Sequence, residues 1–113
     1  MSVPTEHLLI LSAILFSIGV AGFFIRRNLI VVLMCIELML NAANLAFVAG
    51  SRHNAFLAGQ DQTDLEGPIM VTFVIVVAAV EAAVGLALVI ALYRRKQSVD
   101  MRELTELEDG SHA

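Results

Sequence analysis

The sequence predicts an all-α membrane protein with three transmembrane helices, its N-terminus outside and its C-terminus in the cytoplasm. Three observations carry this. Of 113 residues, 58% are hydrophobic and only 16% are charged, against about 25% charged in soluble domains. The apolar residues gather into three runs of spanning length. The basic residues gather at two sites that three crossings place on one side of a bilayer.

Ser2 to His7 form a short polar lead, in which Pro4 suits a helix start and Glu6 suits its positive end. Leu8 to Ile25 is the first span and carries no charge. Hydrocarbon about 30 Å thick is crossed by about 20 helical residues. Ser12, Gly19 and Gly22 fall near one face of this helix, where small residues let a neighbouring helix approach. The run lacks a basic lead and a small-residue cleavage site, so it reads as retained.

Arg26, Arg27 and Asn28 form a tight polar turn. Leu29 to Val48 is the second span, interrupted by Glu37, Asn41 and Asn44. Gly50 to Gly67 reads as a long loop, containing Arg52, His53, Asp61, Asp64 and Glu66. Its acids lack the spacing of a calcium-binding loop. They read as solvating the loop and favouring the start of the next helix. Gly67 and Pro68 open that helix, and Ile69 to Leu92 is the third span, long enough to tilt. Tyr93 suits the interface, ahead of Arg94, Arg95 and Lys96. Residues 1–96 thus form one transmembrane domain, with spans at about 8–25, 29–48 and 69–92. Residues 97–113 form a polar, acidic cytoplasmic tail. Met101, Leu104 and Leu107 there could line one side of a helix, in a pattern too brief to decide; the tail reads as mobile or docked on a partner. Arg26 and Arg27, with Arg94 to Lys96, set the orientation by the positive-inside rule.

Several function classes are excluded or disfavoured. No basic patch with interleaved aromatics suggests nucleic acid. The single cysteine, Cys35, permits no intrachain disulfide or paired-cysteine site and reads as a small buried or lipid-facing side chain. His7, His53 and His112 lie outside the spans and far apart, so no metal site is expected. No hydrolase triad, zinc-protease motif or phosphate loop occurs.

The residues that stand out are Glu37 and Glu81, each a lone acid in an apolar run. A charged residue at a helix centre costs about 2.5–3.5 kcal/mol on insertion scales. Counting helical rise from Leu29 and from Leu92 puts them about 12 Å and about 16 Å from the cytoplasmic boundary. Both therefore lie in the middle third of the core, about 4–5 Å apart in depth before tilt, a gap that water can bridge. Asn41 and Asn44 share the face of Glu37 and make a supporting polar stripe. Ala78, Ala82 and Gly85 leave room around Glu81. Desolvation favours the neutral form of a carboxyl, so a membrane acid can take up and release a proton. No Lys, Arg or His lies within the three spans to lock either acid into a permanent ion pair. The plainer alternative is that each glutamate pairs with a basic group on a partner subunit and only holds an assembly together. Arg26 and Arg27 read first as interfacial anchors and second as a basic entrance. Three helices cannot enclose a proton route alone, so a partner is expected, either further copies or a larger assembly.

Two stretches carry a resemblance that covers about residues 8 to 96. Arg26-Arg27-Asn28-Leu29-Ile30, continuing through Cys35-Ile36-Glu37-Leu38-Met39-Leu40-Asn41-Ala42-Ala43-Asn44-Leu45-Ala46-Phe47, resembles subunit K of the proton-pumping NADH–quinone oxidoreductase, complex I. So does Ala78-Ala79-Val80-Glu81-Ala82-Ala83-Val84-Gly85-Leu86-Ala87-Leu88. The resemblance implies a three-helix subunit of the membrane arm, in the cell (inner) membrane, partnered by other membrane-arm subunits and by lipid. It implies that Glu37 and Glu81 match the family's two membrane carboxylates, thought to relay protons or carry the coupling signal. It further implies that Arg26 and Arg27 match its basic cytoplasmic turn. The chain would act only as part of a translocase, with no catalytic activity of its own. NADH, FMN, iron–sulfur clusters and quinone are implied for the whole complex. None is expected on this chain, which has neither the glycine fingerprint nor the cysteines to hold them. The C-type subunit of multi-subunit sodium/proton antiporters is a cousin, but those relatives lack this pair of glutamates. A small multidrug transporter fits poorly, since that family has four spans and one membrane acid. A purely structural assembly subunit is the remaining alternative.

Overall fold

The computed structural model describes residues 3–59, 65–96 and 100–110. The described residues contain four helices: α1 (Thr5–Ile25), α2 (Leu29–Leu57), α3 (Glu66–Lys96) and α4 (Met101–Gly110). The first three are long and apolar enough to cross a membrane. They run up, down and up, with α2 in the middle packed against both α1 and α3. The result is elongated, 66 × 24 × 24 Å.

Small residues set the helix contacts. On α1, Ser12 and Gly19 are buried and Gly22 is half-buried, as the small-residue face predicts. The Ser12 hydroxyl donates to the Ala42 carbonyl at 2.6 Å. A Cβ added at Gly22 would stand 2.6 Å from Cys35 Sγ, so α1 and α2 touch through the missing side chain. Cys35 is thus a half-buried packing residue. On α3, Gly67 lies against Ser51 and the Phe47 carbonyl, and Gly85 lies against Leu33.

Both ends of the α1–α2 turn are closed locally. The Arg26 amide donates to the Gly22 carbonyl at 2.9 Å. The Asn28 side chain accepts from the Ile30 amide at 2.9 Å, capping the first turn of α2.

The predicted loop from Gly50 to Gly67 needs correction. α2 continues through Leu57, and α3 begins at Glu66. Gly50 alone does not stop a helix, because glycine in a helix interior costs only about 1 kcal/mol. The stop comes at Gly59, whose φ of 62° is the left-handed conformation that glycine adopts freely. There the Ala58 amide donates to Asn54 O and the Gly59 amide to Phe56 O. Asp61 and Asp64 lie outside the described residues. The Arg52 guanidinium, carried on this extension, donates to the Val3 carbonyl and ties the N-terminal lead to α2.

The tail is mostly helical where it is described. Met101 to Gly110 are helical, and Asp100 accepts from the Arg102 amide at 2.9 Å. Asn28 and Asp100 form an antiparallel bridge, with the Met101 amide donating to the Arg27 carbonyl at 3.3 Å. The tail is therefore fastened to the basic turn. Met101 is exposed, whereas the side chains of Leu104 and Leu107 lie outside the described set.

Candidate proton-transfer site

Register between α2 and α3 follows from two contacts. Leu33 meets Gly85 and Ser51 meets Gly67. The two contacts are five helical turns apart on each helix, so the pairing keeps step along its length. Four residues beyond Leu33 is Glu37, and four before Gly85 is Glu81. The two glutamates stand at the same level. The depth difference of about 4–5 Å, counted by helical rise, disappears. That count started from the ends of apolar runs, whereas α3 remains helical to Lys96 and its true partner positions are set by the glycine contacts.

The two acids are placed differently around this level. Glu37 is half-buried and lines an open groove of about 380 Å³ with Leu33, Asn41, Ala82 and Leu86. Glu81 is exposed and is not among the lining residues. It sits on the flank of α3, one residue before the groove-lining Ala82 and three after the buried Ala78. No described residue gives either carboxyl a hydrogen bond or ion pair. Among the described residues, no group of three His, Cys, Asp or Glu side chains could hold a metal ion.

The asparagine stripe divides in the same way. Asn41 is exposed at the groove, and its side-chain amide donates to the Glu37 carbonyl at 3.0 Å. This is the backbone oxygen one turn back, so Asn41 fixes no carboxylate. Asn44 is only 7% exposed, and its Oδ1 is enclosed with no hydrogen-bond donor among the described residues. An enclosed acceptor without a donor costs about 1–3 kcal/mol, so Asn44 is the one member of the stripe whose chemistry is unfinished. Its polarity was legible in the sequence; its enclosure was not.

Arg26 and Arg27 are exposed in the α1–α2 turn. From Arg27 to Glu37 is about 15 Å of helical rise, which excludes a direct ion pair. The turn instead receives the tail, through the Arg27 carbonyl and Asn28.

The arrangement opens Glu37 to the groove and gives its carboxyl no fixed partner among the described residues. It does not enclose a complete route, because the groove is open and Glu81 is uncovered by this chain.

Comparison with known proteins gives the same family. Residues 7–109 match the family model described as NADH-ubiquinone/plastoquinone oxidoreductase chain 4L. The NADH-quinone oxidoreductase subunit K of Methylacidiphilum infernorum is 53% identical over 108 residues, covering 96% of this chain and 99% of the relative. Subunit K 1 of Geobacter sulfurreducens is 53% identical over 102 residues, covering 90% of this chain and 94% of the relative. Subunit K 2 of Geobacter metallireducens has the same identity and coverage. With nine-tenths of its length matched and three helices long and apolar enough to cross a membrane, the chain belongs to the chain 4L family, that of subunit K of NADH–quinone oxidoreductase.

Proposed function

We propose that the chain works in the membrane arm of a proton-translocating NADH–quinone oxidoreductase, where Glu37 and Glu81 handle protons coupled to quinone reduction. The observation that carries this reading is the shared level of the two acids on adjacent helices. Two carboxyls at one depth, with no cation among the described residues to fix their charge, can exchange protons through water. Their cost in the bilayer, about 2.5–3.5 kcal/mol each when charged, falls if one or both are neutral or covered.

Covering must come from neighbours. Glu81 and the open side of the groove face outward from this chain, so adjoining membrane-arm subunits complete the enclosure. NADH, FMN, iron–sulfur clusters and quinone belong to the rest of the complex, and this chain binds none of them. The basic turn, Arg26 and Arg27, and Arg94 to Lys96 lie on the cytoplasmic side, with the N-terminus outside, in the cell (inner) membrane.

Affinity purification of the tagged chain in mild detergent tests the assembly. Recovery of large membrane subunits together with quinone-linked NADH oxidation supports the reading. Recovery of a homo-oligomer alone contradicts it and favours an independent transporter.

A further inference from the structure

Between Glu37 and the far end of the α2–α3 interface, one polar side chain is enclosed and unmatched. Helical spacing places Leu33, Glu37, Leu40, Asn44, Phe47 and Ser51 in one row along the α3 side of α2. In this register Asn44 stands level with Val74, which has no polar side chain. The nearby hydroxyl of Thr72 already donates to the Pro68 carbonyl at 2.9 Å. The backbone amides of α3 at this level are used within the helix. Asn44 Oδ1 thus lacks a donor on its own helix and on the helix it faces. Turning the amide over would put its NH₂ group in the same enclosed spot, so the need for a partner remains.

Two grooves flank this position. One is the Glu37 groove of about 380 Å³. The other, about 580 Å³, is lined on the far side of Asn44 by Phe47, Ser51, Asn54 and Gly67, among others. Asn44 lies about 10 Å of helical rise from Glu37 and about 10 Å from Ser51. Either interval is about the length of three hydrogen-bonded waters.

We infer that Asn44 binds water inside the α2–α3 interface and so joins the Glu37 groove to the Ser51 groove. Water is the fitting partner because the site is enclosed by two helices of this chain, which shuts out a side chain from a neighbouring subunit. Small residues of α3 flank this level, Ala78 one turn away and Gly67 two turns away on the other side, so a slight parting of the helices admits a water molecule beside Val74. The inference rests on the proton-handling role proposed for Glu37 and gives that role a direction, away from the basic turn.

The first test is a high-resolution density map of the intact complex. An ordered water within about 3 Å of the Asn44 amide is expected, and a dry amide would overturn the inference whatever Glu37 does. The second test uses variants in the assembled complex. Asn44→Leu keeps the branched outline of the side chain, somewhat enlarged, and removes the atoms that hold water. It should lower proton pumping several-fold and change the solvent deuterium isotope effect on quinone-linked turnover. Asn44→Ser, which keeps a hydroxyl for water, should retain most of both. Asn44→Leu pumping at the original rate, or Asn44→Ser failing as badly as Asn44→Leu, would contradict it. Because the map is read without reference to Glu37, failure here is distinguishable from failure of the proton-handling reading.

Discussion

Glu37 and Glu81 stand at one level of the α2–α3 pair, yet only Glu37 lines the groove between the helices. The two acids are therefore unequal. Glu37 has a partly enclosed surrounding built by its own chain. Glu81 depends on what lies beside it in the complex.

That inequality sets an order of severity. Glu81→Gln keeps the shape and most hydrogen bonding of the side chain but removes titration. Gln is also cheaper to bury, so assembly should survive. Proton pumping in reconstituted vesicles should fall, but less than for the same change at Glu37, because water or a neighbouring acid can reach the exposed flank. A larger loss at Glu81 than at Glu37 would reverse the ranking.

Register rests on glycine contacts, and one of them can be tested by size. A Cβ at Gly67 would come within 3.0 Å of the Phe47 carbonyl and closer still to Ser51 Cβ. Gly67→Ala should therefore destabilise, since overpacking costs about 1–3 kcal/mol and outweighs a helix-propensity gain of up to about 1 kcal/mol. The thermal midpoint of the purified complex should drop, and adding Ser51→Gly should restore part of it. A rise in midpoint for Gly67→Ala alone would show that α2 and α3 do not meet there.

Much of this fold is legible in the sequence. Three apolar runs, with basic clusters between the first two and after the third, leave little choice of architecture, and the small face of Ser12, Gly19 and Gly22 does pack on α2. The extension of α2 was hidden because Ser51 to Asn54 look like loop residues by polarity. Polarity marks where a helix leaves the apolar layer, while Gly59 marks where it stops. The equal level of the glutamates was hidden for a different reason. Depth counted from the edge of an apolar run ignores register, which is fixed by contacts between residues far apart in sequence. The enclosure of Asn44 and the exposure of Asn41 likewise depend on α3, and no pattern within α2 separates them.

Orientation can be read with cysteines at described, exposed positions. On a Cys35→Ser background, Ala58→Cys should react with an impermeant thiol reagent from outside the cell, and Lys96→Cys should not. Labelling of position 96 from outside would invert the topology.

The basic turn admits two roles that one variant separates. Arg26 and Arg27 both become alanine, with topology checked as above. The Asn28 cap and the Arg27 carbonyl remain, so the turn and the tail contact should hold. As interfacial anchors alone, the arginines are dispensable once orientation is kept, and coupled activity should be close to the original. A drop in pumping with intact assembly would instead give them a part in proton entry or partner contact.

The central claim is that Glu37 titrates during turnover, and Glu37→Gln tests it most directly. The measurement is proton pumping alongside two NADH oxidation rates, one with quinone and one with an artificial acceptor at the soluble arm. The account predicts that pumping and quinone-linked oxidation fall together while the artificial-acceptor rate persists. Glu37→Asp, which still titrates but is one methylene shorter, should be milder. A Glu37→Gln complex that assembles and pumps at the original rate would contradict the account.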